Sequence, residues 1–207
     1  MKVYADIKSG NCYKVALICS LLEISHQWVH VDILKAETQA TSFLAKNSNG
    51  KIPLLETENG QYLAESNAIL NYLADDTSLL PTDPMQRALV LQWQFFEQYS
   101  HEPFIAVARF INFYLGLPES RAQEYQDLQV GGHKALRVME DQLSQSDYLV
   151  GPSITIADIS LYAYTHVASE GGFDLSSYPH ILSWLSRIQH LPGYKSMDEF
   201  NLNKGNG

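Results

Sequence analysis

A small α/β domain followed by an all-helical one is the fold class this sequence predicts, and three observations predict it. Between Met1 and Leu73, short β-compatible runs and helical stretches follow one another as strand, helix, strand, helix, strand, strand, helix. Leu79–Pro84 (LLPTDP) then breaks the pattern with turn chemistry. Beyond Pro84 the apolar residues keep helical spacing and no strand pattern or internal repeat occurs.

The first strand is Met1–Asp6, and Ser9-Gly10-Asn11 turns the chain into a helix with Val15, Ile18, Cys19 and Leu22 on one face. Gln27–Val31 has the composition of a second strand. A polar stretch, Lys35–Thr41, leads into a helical turn around Phe43-Leu44. The run Asn49–Asn67 (NGKIPLLETENGQYLAESN) then reads as a strand Ile52–Glu56, a turn at Asn59-Gly60, a strand Tyr62–Ala64 and a helix starting at Glu65-Ser66. Asn-Gly between apolar runs is a strong hairpin signal because both residues accept positive φ. Pro53 lacks a ladder donor, so the start of its strand is a candidate binding edge. A helix that starts directly after a strand leaves N–H groups and a positive dipole end that can receive a carboxylate. An ordinary edge strand with an ordinary cap is the competing account of both features.

In the second half, Asp83 and Pro84 form a cap and first turn for a long helix to Tyr114, which Pro103 should kink. Gly116-Leu117-Pro118 stops it, and Glu119–Leu143 forms a second long helix weakened by Gly131-Gly132. Thr155 and Asp158 make a variant capping box, with Ile154 and Ile159 as its hydrophobic staple. Ser177 and Pro179 open the last expected helix, which carries Trp184 and Leu185 and ends at Leu191-Pro192-Gly193. Asn201–Gly207 reads as a frayed polar tail.

With 45% apolar residues in 207, the chain has enough material for one large or two small cores. Its 14 basic and 23 acidic residues give a net charge of −9, which argues against nucleic acid and anionic membrane as partners. No apolar run is long enough to span a bilayer and no cationic-then-apolar leader opens the sequence; two cysteines without disulfide or zinc spacing make a reducing, cytoplasmic compartment the expectation. Cys12 and Cys19 on one helix would stand roughly 10.5 Å apart by helix rise, too far for a disulfide. Neither they nor the scattered His133, His166, His180 and His190 have ligand spacing, so no metal is expected.

Asn49-Gly50-Lys51-Ile52-Pro53-Leu54-Leu55, Glu65-Ser66-Asn67-Ala68-Ile69 and Thr155-Ile156-Ala157-Asp158 after Gly151 occur in the order and spacing of one family. Along nearly its whole length the sequence resembles a glutathione S-transferase of bacterial type, serine-type or nu-like. The resemblance implies a thioredoxin-like glutathione-binding domain over residues 1–78, a linker over 79–84 and an all-α domain over 85–207 that forms the second-substrate site. It makes Pro53 the family's cis-proline and pairs the backbone of Ile52 with the cysteinyl part of glutathione. It assigns Glu65 to the γ-glutamyl ammonium and Ser66 to its carboxylate. Lys35 and Lys51 are the nearest candidates for the glycine carboxylate, because Thr38 and Gln39 stand where many members carry a His-Lys pair.

Glutathione chemistry needs the thiolate, and the free thiol pKa lies near about 8.5. Lowering it by one to two units takes roughly 1.4–2.7 kcal/mol of preference for the anion. One hydrogen bond to a charged group supplies about 1.5–3 kcal/mol, and a helix N-terminus adds roughly 0.3–1 kcal/mol. A single donor at the start of the first helix therefore suffices. Ser9 matches the catalytic serine of serine-type classes and is the leading donor. Asn11 matches a position used by bacterial members active on disulfides and peroxides, and Cys12 is three residues out of register with the cysteine-type classes. Tyr4, in the first strand, is read as a packing residue.

The second substrate is expected between the domains against the kinked helix, with Tyr99, Phe104 and Arg109 as its candidates among the aromatic and polar residues there. The expected function is conjugation of glutathione, as co-substrate, to a small hydrophobic electrophile by a homodimer. Glutathione-dependent reduction of disulfides or hydroperoxides on the same site is the nearest alternative. A non-catalytic interaction module on the same fold is an alternative of another class.

Overall fold

The structure, a computed structural model, describes residues 1–202. Of the tail expected at Asn201–Gly207, residues 203–207 lie outside the described residues, and the first two close a helix. The chain forms two compact units divided between Asp75 and Asp76, and from Leu191 onward it belongs to the first unit again.

In the first unit the sheet has the order β2-β1-β3-β4, from β1 (Lys2–Ala5), β2 (Gln27–His30), β3 (Leu54–Glu56) and β4 (Tyr62–Ala64). β2 runs parallel to β1, as a helical crossover requires, and β3 and β4 are antiparallel. β3 begins at Leu54 and not at the expected Ile52, since Pro53 has no N–H to pair; the Ile52–Pro53 peptide bond is cis. The turn before β4 is looser than a two-residue hairpin. Thr57 N donates to Gln61 O and Gly60 takes φ 75°.

Helix α1 (Gly10–Leu21) is buried from Cys12 through Cys19, so it presents no solvent-facing side along that stretch. It packs with α3 (Ser66–Leu73), Val3, Leu17, Leu54, Leu55, Ile69 and Leu70 being fully buried. The short α2 (Thr41–Leu44) brings Phe43 to a second cluster with Tyr4, Val31 and Leu54. Tyr4 is a packing residue. Its ring meets Phe43 edge-on, and its hydroxyl donates to Glu56 Oε2 at 2.6 Å and accepts from Lys46 Nζ at 2.9 Å.

The second unit is helical: α4 (Pro84–Phe96), α5 (Glu102–Arg109), α6 (Ala122–Leu143), α7 (Ile156–Thr165) and α8 (Pro179–Gln189). Asp83 caps α4 by accepting from Gln86 N at 2.9 Å, with Pro84 in the first turn. The expected linker is part of this unit. Leu79 and Leu80 are buried, and Leu79 O accepts from Ile156 N at 2.9 Å. The single kinked helix expected to Tyr114 is instead α4 and α5 with π-helical turns at Glu97–His101 and Phe110–Tyr114. The first π turn, closed by Glu102 N donating to Glu97 O, lies just before Pro103, so the break falls ahead of the proline.

α6 runs unbroken through Gly131-Gly132, because the glycines admit rings that side chains would exclude. A Cβ on Gly131 would run into the Phe104 ring, and one on Gly132 into Phe173. At the end of the chain, α8 is not the last helix. α9 (Met197–Leu202) follows, and its segment is fixed to α1. The Tyr13 hydroxyl donates to Lys195 O at 2.8 Å, Ser20 Oγ donates to Gly193 O at 2.7 Å, and the Phe200 ring meets Tyr13 edge-on.

Candidate functional site

Two helix starts of the first unit make the candidate site. The N-cap residues Ser9 of α1 and Glu65 of α3 provide no side-chain cap to their helices. Helices that begin this way keep N–H donors and the positive dipole end for another acceptor. Glu65 is exposed and holds φ 68°, ψ 115°, unusual for a residue with a Cβ, which turns the chain from β4 straight into α3. Ser66, the first residue of α3, is 5% exposed.

The two starts are tied together. Ser66 Oγ donates to Asn11 Oδ1 at 3.2 Å, and Lys14 Nζ donates to Ser66 Oγ at 3.3 Å. Asn11 and Lys14 are three residues apart on α1, hence on one face. Lys14 is fully buried. It is the site residue that the sequence reading missed, although a lone lysine inside the apolar run Cys12–Cys19 is itself a signal. Such a charge must find acceptors indoors.

Ser9 stands two residues before Asn11, half-buried; its carbonyl accepts from Tyr13 N at 2.9 Å. Cys12 is fully buried in the α1 core, away from the half-buried positions that Ser9 and Asn11 occupy. Cys19 is equally enclosed, and burial pushes its thiol up to about 12. Neither cysteine forms a disulfide.

On the other side of the site, Ile52 is half-buried ahead of the cis bond to Pro53, outside the paired part of β3. The loop before it is held by Asn47 Nδ2, which donates to Lys51 O at 2.8 Å. Gly50 is a glycine for two reasons, φ 61° and contact on its Cβ side with the Gln39 amide. Gln39 Nε2 donates to Gly50 O at 3.4 Å, so Gln39 belongs to this loop while the neighbouring Thr38 is buried. Lys51 is exposed. Lys35 is exposed too, and its ammonium pairs with Asp32 at 3.2 Å; that bond holds the Asp32 carboxyl below its usual range.

Of the candidates in the helical unit, only Tyr99 is fully open to solvent. Phe104 lies against Gly131 of α6. Arg109 is 3% exposed, donates to Glu170 Oε2 at 2.6 Å and lies over the Phe113 ring. The structure thus gives Phe104 and Arg109 packing partners within their own unit.

The chain matches the family model of the glutathione S-transferase N-terminal domain over residues 1–75 and that of the C-terminal domain over residues 93–192. It belongs to the glutathione S-transferase family. A glutathione S-transferase from Pseudomonas fluorescens is 61% identical, with a TM-score of 0.94 over 95% of this chain and 98% of that one. The disulfide-bond oxidoreductase YfcG of Escherichia coli is 29% identical over 88% of this chain and 87% of its own. The glutathione transferase URE2P8 from Phanerochaete chrysosporium, crystallised with oxidized glutathione, is 25% identical with a TM-score of 0.86 over the whole of this chain and 97% of that one. Membership brings a glutathione-binding fold and glutathione-dependent enzyme chemistry in general. Among the described residues, no helix is long and apolar enough to cross a membrane.

Proposed function

We propose that this glutathione S-transferase binds glutathione along Ile52 and the two helix starts, and holds its sulfur as a thiolate for attack on small hydrophobic electrophiles. The observation that carries the reading is the hydrogen bond from Ser66 Oγ to Asn11 Oδ1, which joins the anion-receiving ends of α1 and α3. Glutathione lies strand-fashion along the unpaired edge at Ile52, Glu65 takes the γ-glutamyl ammonium, and the start of α3 takes its carboxylate. Lys51, which is exposed, takes the glycine carboxylate, and Lys35 does so only by leaving Asp32. Ser9 and Asn11 donate to the sulfur. The thiol proton passes to solvent, the sulfur lone pair forms the C–S bond, and the leaving group departs with its bonding pair. The enzyme works as a cytoplasmic homodimer, and light scattering at twice the chain mass is the expected result. Tyr99, Phe104 and Arg109 remain the proposed second-substrate residues, with Tyr99 foremost because it alone is open.

A second reading, reduction of disulfides or hydroperoxides by glutathione, is favoured by the way Asn11 is held and by the likeness to YfcG. Steady-state assays with a chloronitrobenzene and with a mixed disulfide of glutathione separate the two, and dominant disulfide turnover would reverse their order. Retention on immobilised glutathione is expected. A protein that neither binds the resin nor gains thermal stability from glutathione is an interaction module instead.

A further inference from the structure

The bond chain Lys14–Ser66–Asn11 runs in one direction, from the lysine through the hydroxyl to the amide oxygen. An ammonium has three donors and no acceptor. Ser66 Oγ accepts from Lys14 at 3.3 Å and gives its single proton to Asn11 Oδ1 at 3.2 Å, so the hydroxyl meets the carbonyl end of the amide. Nδ2 is the opposite end of that amide. A thiolate only accepts. An amide seated this way offers it N–H donors, whereas the opposite seating would aim carbonyl lone pairs at a negative sulfur.

We propose that Lys14 is a positioning residue, whose buried ammonium fixes the Ser66 hydroxyl and through it the seating of Asn11, so that Nδ2 faces the glutathione sulfur. This rests on the reading that the thiolate is held at the first turn of α1. It also assigns the Ser66 hydroxyl to Asn11, which leaves the backbone N–H groups at the start of α3 for the γ-glutamyl carboxylate. Glutathione affinity and thiol ionisation therefore depend on different atoms of the same serine.

The test is the ultraviolet thiolate absorbance of bound glutathione, titrated in wild type, Lys14→Met, Asn11→Ala and the double variant, together with kcat and KM. Lys14→Met should raise the bound thiol pKa by about one unit, a tenfold loss of thiolate below it. KM for glutathione should stay within about twofold while kcat falls. In the Asn11→Ala background Lys14→Met should add nothing, because there is no amide left to seat. A lysine charge acting through space would shift the pKa equally in both backgrounds, and that result overturns the proposal. So does an unchanged pKa in Lys14→Met or in Asn11→Ala. If Lys14→Met does not fold, Ser66→Ala cuts the same chain and must raise the pKa as Asn11→Ala does. Wild type that binds glutathione without a thiolate band defeats the underlying reading as well, and so is distinguishable from failure of the Lys14 assignment alone.

Discussion

Helix α7 and helices α1 and α3 begin in opposite ways. At α7, Thr155 Oγ1 accepts from Ala157 N, Asp158 accepts from Thr155 N, and both residues are buried. At α1 and α3 the cap residues Ser9 and Glu65 close nothing. A helix start sealed by its own side chains serves the core, and one left unsealed at half-buried or exposed positions keeps its N–H donors for another acceptor. The same polar chemistry has two uses, told apart by what the side chains face.

The strongest way to break the contrast is Asp158→Ala. Its carboxylate accepts from Leu149 N, Thr155 N and Trp184 Nε1, and all three donors would be left buried without it. At roughly 1–3 kcal/mol for each buried donor, urea unfolding should show a loss of at least about 3 kcal/mol. Chain that still folds should ionise bound glutathione as wild type does. Gly131→Ala comes next. Its Cβ runs into the Phe104 ring, and a loss of about 1–3 kcal/mol in unfolding free energy is expected, partly restored by Phe104→Leu. Unchanged stability would free Phe104 to be a substrate wall.

The third effect is pH-dependent. Cys19 keeps its proton up to about 12 in the fold, whereas in the unfolded chain it ionises near about 8.5. Above that lower value the unfolded state releases a proton that the native state retains, so stability is full below about pH 8.5 and falls as pH rises, by about 1.4 kcal/mol per unit. Cys19→Ala should lack this slope; an identical slope in both proteins would place the thiol in contact with water. The smallest effect belongs to Ser9→Ala. With no cap bond to lose, its unfolding free energy should change by less than about 0.5 kcal/mol, while the bound thiol pKa rises if Ser9 shares the sulfur with Asn11. A clear loss of stability would make Ser9 a structural cap.

What could be read in the chain was what neighbours dictate. Asp83-Pro84 and Thr155–Asp158 are settled within three or four residues, and the fold confirms both, while the turn before Tyr62 stands where expected but is looser than the Asn59-Gly60 pair implied. Ser66, Pro53 and Asn11 stood out by motif. The bonds between them did not, because Ser66 meets Asn11 and Lys14 across 55 and 52 residues of chain. The π turn ahead of Pro103 was hidden for a different reason: the proline marks a missing bond but not how the helix absorbs it. Gly131-Gly132 looked like weakness because their partners, Phe104 and Phe173, approach from other parts of the chain.

The return of residues 191–202 to α1 means that no single cut releases the glutathione-binding unit whole. A fragment ending at Asp75 would expose the flank of α1 that Lys195 and Phe200 cover, on the very helix that begins with Ser9. Any reagent, tag or protease acting near Gly193 therefore works against the far end of α1, beside Ser20 and Leu21, and not at the turn where Ser9 stands.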